Sequence, residues 1–178
     1  MKRKIFIFFA IVILSLLVFP SLLVKVVRAG NTDTVAATVT AQIFSVSLDN
    51  EDGVAFGTIA TSSAQDTTTN GVNDSTTATN DGSVATKFNI QSTDSTGGAG
   101  WTLGATAGSE TYTMKFCVTT CDSSPVWNSV GIAPAYQTLA ASVAKDNTQV
   151  FDLQVGTPTS TVVTTEQSIT VTVQAVTP

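Results

Sequence analysis

Ile169-Thr170-Val171-Thr172-Val173-Gln174-Ala175 alternates apolar and polar side chains without a break. Successive residues of a strand point to opposite faces. Ile169, Val171, Val173 and Ala175 therefore share one face, and Thr170, Thr172 and Gln174 share the other. One apolar face and one polar face suits an antiparallel strand lying between a core and water.

The same period recurs on the N-terminal side of this stretch. Phe151, Leu153 and Val155 alternate, as do Tyr112, Met114, Phe116 and Val118, then Trp101, Leu103 and Ala105, then Phe88 and Ile90. A further strand is expected at residues 54–59. Turn chemistry separates these runs, at Asp49-Asn50-Glu51-Asp52-Gly53, at Asn70-Gly71, at Asp81-Gly82 and at residues 96–100. Residues 61–83 are nearly all Thr, Ser, Asn, Asp and Gly, which predicts a long exposed loop or a weakly patterned hairpin. Residues 130–143 are less regular, with Pro134 as a breaker, and predict a short helix or an irregular connection. Beyond residue 30 the chain is rich in Thr, Ser, Val and Ala and poor in the strong helix formers. The expectation is an all-β fold of about 8 to 10 short strands, an antiparallel β-sandwich of the jelly-roll or immunoglobulin-like kind.

The N-terminus carries an address. Met1-Lys2-Arg3-Lys4 is basic, residues 5–24 hold no charge, and Val27-Arg28-Ala29 ends in a small residue. That order describes a signal peptide cleaved after Ala29. An apolar run of about 20 residues followed by Lys25 and Arg28 also suits an uncleaved N-terminal anchor. Both readings put residues 30–178 outside the cytoplasm, extracellular or on the cell surface, as a single domain. All 13 carboxylates lie in that part, against Lys87, Lys115 and Lys145 alone, a net charge of −10. Such a surface repels phosphates and anionic lipid. No nucleic acid is expected as a partner, and no membrane once the signal is cleaved.

Two cysteines in an exported chain are expected to be oxidised. Cys117 and Cys121 would close a small ring that locks the turn after the aromatic strand. There is no histidine. This removes Ser-His-Asp and Cys-His catalysis and every histidine-ligated metal. No phosphate-binding or dinucleotide-binding glycine pattern is present. The chain is expected not to be an enzyme and to need no cofactor. Calcium is the one ion the sequence suggests: Asp49, Glu51 and Asp52 cluster at a turn, with a second group at Asn73, Asp74, Asn80 and Asp81. The same residues are also ordinary turn formers. Asn73-Asp74-Ser75 is a glycosylation sequon. Trp127, beside Pro125 and the cysteines, is a candidate ligand contact, whereas Trp101 shares a face with Leu103 and belongs to the core.

Residues 35–48 begin with Val35, Ala37, Val39, Ala41 and Ile43 on one face, then change phase to Phe44, Val46 and Leu48. A phase change suggests a bulge or a strand that switches sheets. A first strand directly after the export segment can pair within its own domain or insert into a neighbouring copy. Head-to-tail insertion generates filaments. The expected function is an extracellular structural protein, a self-assembling filament, pilus or surface-coat subunit. Its partners are other copies of itself, and Val35, Ala37, Val39, Ala41 and Ile43 form its interface. The alternative is a surface module for cell-wall polymer or glycan.

Phe56-Gly57-Thr58-Ile59 and Trp101-Thr102-Leu103 resemble the WxL cell-surface domain over the middle third of the chain. That resemblance implies an all-β domain attached non-covalently to the cell wall. The second such motif, near the C-terminus, is missing, because the chain ends in Val171-Thr172-Val173-Gln174-Ala175-Val176-Thr177-Pro178. The order of signal, free strand and sandwich is similar in architecture to pilins assembled by donor strands.

Overall fold

The computed structural model describes Thr32 and residues 34–50, 52–69, 71–72 and 75–178. The expected export segment, the sequon's Asn73 and Asp74, and Glu51 lie outside the described residues. Contacts divide the chain into two units, Met1–Val39 and Thr40–Pro178. The fold is all-β, and among the described residues every regular element is a strand.

Among the described residues of the second unit there are eleven strands: β1 Ser47–Leu48, β2 Ala64–Asp66, β3 Thr76–Thr79, β4 Thr86–Ser92, β5 Thr102–Leu103, β6 Thr111–Cys117, β7 Asn128–Ser129, β8 Gly131–Ile132, β9 Gln137–Val143, β10 Thr148–Gly156 and β11 Val171–Val176. They form a seven-stranded and a four-stranded sheet. The first runs β1-β3-β10-β6-β5. Its long central strand β10 meets β3 with its first half and β2 with its second, while β6 covers its other flank. The second sheet is built on β4, with β11 on one side and β8 and β9 on the other. Most pairs are antiparallel, but β5–β6 and β4–β8 are parallel. The sheets are therefore mixed rather than wholly antiparallel, because connections of irregular chain carry the strand direction over before those short strands dock.

The alternation in the sequence turns into burial. In β4, Thr86, Phe88, Ile90 and Ser92 are buried while Lys87, Asn89 and Gln91 are half-buried. Phe88 and Ile90 join Tyr112, Met114 and Phe116 of β6, Leu139 and Val143 of β9, and Phe151, Leu153 and Val155 of β10 in one apolar cluster. Both sheets contribute to it, so they share a core. Removing that area from water is the main favourable term in folding. Tyr112 adds a polar tie between the sheets. Its hydroxyl donates to the Thr93 carbonyl and lies 3.4 Å from Ser92 Oγ. Burial raises the pKa of this phenol, with the Ser92 contact opposing the shift.

Residues 61–83 differ most from expectation. They hold β2 and β3, and Thr67, Thr76 and Asn80 are buried. Hydrogen bonds make this burial possible for polar side chains. The Thr67 hydroxyl donates to Asp152 Oδ1 at 2.9 Å and accepts the Leu153 N–H at 2.9 Å. Residues 130–143 contain β8 and β9 in place of a helix.

Candidate functional site

The N-terminal segment pairs less than its pattern allows. Only Ser47–Leu48 joins a sheet, against Thr79 and Ala78 of β3. Residues 34–46 are assigned to no strand, and residues 34–43 are exposed, with Val35 at 93%, Val39 at 96% and Ile43 at 58%. The phase change at Phe44 marks the point where burial begins: Val46 and Leu48 pack against the core.

The root of this segment is held by the turn between β3 and β4. The Ser83 N–H donates to the Ile43 carbonyl at 2.9 Å, and the Ile43 N–H donates to Ser83 Oγ at 3.0 Å. The Ile43 carbonyl comes so close to Gly82 that an added Cβ there would meet it at 2.3 Å. Gly82 is therefore a close-approach glycine, not merely a turn former.

Next to β1 the interior is open. A groove of about 790 Å³ has Met114, Phe151 and Leu153 of the first sheet on its floor. Leu48 and residues 52–56 form one wall, and Ile169, Val171 and Val173 form the other. A second groove of about 550 Å³ continues past Phe56 and Ile169 to Trp101 and Val163. Residues 54–59 do not form the expected strand. Gly53 and Gly57 take φ +80° and +71°, and the left-handed turn at Gly57 breaks the alternation. Phe56 and Ile59, three residues apart, consequently both pack against the core. This gives the Phe56-Gly57-Thr58-Ile59 stretch a physical role as a partial cover.

The structure separates the other candidates. Trp101 is half-buried, stacks at 6.5 Å and 44° on Tyr112, donates its indole N–H to Thr161 Oγ1 at 3.0 Å, and lines the second groove. Trp127 is half-buried and lines neither groove. The Asp49 carboxylate accepts the Thr77 N–H at 2.8 Å, which fixes it to the β1–β3 pair. Asp52 lies on the groove wall. Among the described residues no group of three or more His, Cys, Asp or Glu could hold a metal ion.

Cys117 and Cys121 form the disulfide, with Cα atoms 5.8 Å apart. The bridge folds the chain back so that Asp122 reaches the loop after β2. There its Oδ1 accepts the Thr69 N–H at 2.6 Å and the Thr69 hydroxyl at 2.8 Å. These bonds favour the ionised form and lower the Asp122 pKa. A folded-state pKa below the unfolded value contributes stability above the unfolded pKa, and that contribution is lost as pH falls through the folded pKa. Acidification is thus expected to free the Thr69 amide, read as faster hydrogen exchange once its intrinsic pH dependence is removed. Asp122→Asn should remove this acid response. An unchanged response in that variant would show that the Asp122 carboxylate does not govern the loop.

The sequence pointed to residues 35–43 but carried no sign of the groove, whose walls come from segments more than 100 residues apart in the chain. No family model, curated protein or solved structure matches the chain.

Proposed function

We propose that the chain is an exported structural protein, a subunit of a filament or surface coat, whose domain is a two-sheet β-sandwich and whose contact segment is residues 35–43. One observation carries this reading. A segment of strand-like pattern, with Val35, Ala37, Val39, Ala41 and Ile43 on one face, stands exposed, and among the described residues no strand of its own subunit pairs with it. Exposed apolar strands are ready templates for pairing with another chain, and soluble monomers avoid them. We assign the chain no reaction.

Electron microscopy of the protein, expressed with its export segment and collected from the cell surface or medium, tests this. Regular filaments or arrays are expected from the full chain, and dispersed particles from a variant lacking residues 30–41. Dispersed monomers from the full chain at high concentration, with calcium present, would defeat it.

A second reading, a module for cell-wall polymer or glycan, draws on Trp101 in the wall of the second groove. It makes Trp101, rather than Trp127, the residue whose loss should abolish retention on isolated cell walls.

A further inference from the structure

β11 has a strand partner on one side only. It pairs with β4 over six consecutive residue pairs without a register break. Among the described residues no strand lies along its other edge. Sheet edges are commonly blunted by shortness, charge, proline or a bulge. β1, β5, β7 and β8 have two residues each. β9 meets β4 through register shifts around Phe88. β11 has none of these protections. Its six residues, Val171-Thr172-Val173-Gln174-Ala175-Val176, include no charge and no proline.

The apolar side chains of β11 are also incompletely covered. Val171 and Val173 point to the core yet stay half-buried, because the 790 Å³ groove lies beside them. The groove is what remains after Val54 and Phe56 have taken their places in its wall. The subunit thus lacks side chains on one flank of β11 and exposes unused ones at residues 35–43.

We propose that the free edge of β11, with its groove, is the acceptor for residues 35–43 of a second copy, which add there as a strand. This rests on the assembly reading above and supplies the half of the contact that it leaves open. Length, charge and side-chain chemistry all fit. A strand rises about 3.3 Å per residue, so residues 35–43 span about 30 Å and cover the roughly 20 Å of β11. Residues 34–48 and 169–178 hold no charged side chain, so the two paired strands bring no ion of their own into the contact; the carboxylates of the groove are Asp52 and Glu166. Val35, Val39 and Ile43 are exposed branched apolar side chains, and the groove offered to them has Met114, Phe151, Leu153, Val171 and Val173 in its lining. Donor and acceptor are different patches on each copy, so the contact is head-to-tail and propagates. The acidic surfaces of neighbouring copies repel, and added salt should therefore promote growth.

The full chain tests this in two differently tagged populations, one carrying Val39→Cys and the other Val173→Cys, with Ala37→Cys and Ala41→Cys to cover the neighbouring registers. Matched residues on adjacent strands have Cβ atoms about 4.5–5.5 Å apart, close enough for a disulfide after small adjustment. Oxidation of the mixture is expected to give a disulfide-linked product containing both tags, absent from either population alone. Val171→Lys, which loads the same face of β11, should abolish that product when added to the Val173→Cys population and should abolish the filaments of the full chain. Gln174→Lys, on the exposed face of the same strand, should leave both, which controls for charge. Filaments without any link from residues 35–43 to β11 would overturn the acceptor and spare the assembly reading. A link that forms within a Val39→Cys/Val173→Cys double variant but never between the two singly substituted populations would also overturn it. Dispersed monomers with no link would overturn both.

Discussion

Phe88→Ala is expected to lower the free energy of unfolding by about 3–5 kcal/mol, the usual range for emptying a buried phenylalanine site. Phe88 is 0% exposed and sits mid-strand in β4, between Ala175 of β11 and Ala140 of β9. Its neighbours are small across the strands and large across the core, where Tyr112, Phe116 and Phe151 belong to the same cluster. Small cross-strand neighbours cannot expand into the space that a lost ring leaves. The backbone around it is already irregular, with register shifts on the β9 side, so collapse would have to break pairing to fill the cavity. Domains of this size have stabilities of about 5–15 kcal/mol, and the loss would be a large part of the total. At roughly 2–4 °C per kcal/mol for a chain of this length, the melting temperature should fall by about 6–20 °C. Thermal and urea unfolding followed by circular dichroism measure it. A loss under about 1 kcal/mol would mean that β4 is not at the centre of a closed core. If the chain assembles as proposed, the same variant should impair that assembly, because among the described residues β11 joins the sheet through β4 alone.

The parts of this fold that were legible share one property. β4, β6, β10 and β11 are held by apolar burial, and burial on one face of a strand prints an alternation into the sequence. Tyr112, Met114 and Phe116, expected on one face, are all buried, as are Phe151, Leu153 and Val155. β2 and β3 were hidden because they are held by hydrogen bonds. Thr67 is as buried as Phe88, but its reason for being inside is Asp152, 85 residues away in the chain. No local pattern reports a partner at that distance. The F-G stretch failed for a different reason: a glycine at positive φ resets the alternation, so Phe56 and Ile59 look out of phase in sequence and lie on one side in space. In the candidate site, half of the proposed contact was legible. Residues 35–43 alternate whether their partner is their own sheet or another copy's, so the pattern predicts a strand and is silent about where it pairs. The groove was invisible, because an absence between two sheets has no residues of its own.

The turn that holds the root of that segment is expected to depend on Asn80. Asn80→Ala should cost about 3–5 kcal/mol, because it strands several buried polar groups at once. The Asn80 side chain is 0% exposed. Its Nδ2 donates to the Val84 and Val143 carbonyls at 2.9 Å each, and its Oδ1 accepts the Gly82 N–H at 2.9 Å. Its own N–H and carbonyl bond to Asn147 and Asp146. One residue thereby ties the β3–β4 turn to the end of β9 and to the turn before β10. Alanine removes all three side-chain bonds and leaves a space too confined for free hydration. Asn80→Asp keeps the acceptor for Gly82 but sets a carboxylate against two carbonyls. It should be at least as damaging at neutral pH and should recover in part in acid, where a protonated carboxyl restores one donor. The local consequence reaches the exposed N-terminal segment. The turn presents Ser83 to Ile43, so loosening it should speed amide exchange at Ile43 and Ser83 well before global unfolding. Ser83→Ala removes the exposed hydroxyl's bonds to the Ile43 N–H and the Ala41 carbonyl and should reproduce the faster exchange at Ile43 with a loss of stability of about 1 kcal/mol. Exchange at Ile43 that stays slow in Asn80→Ala, while global stability falls, would show that the segment is anchored through Val46 and Leu48 in the core and not through the turn.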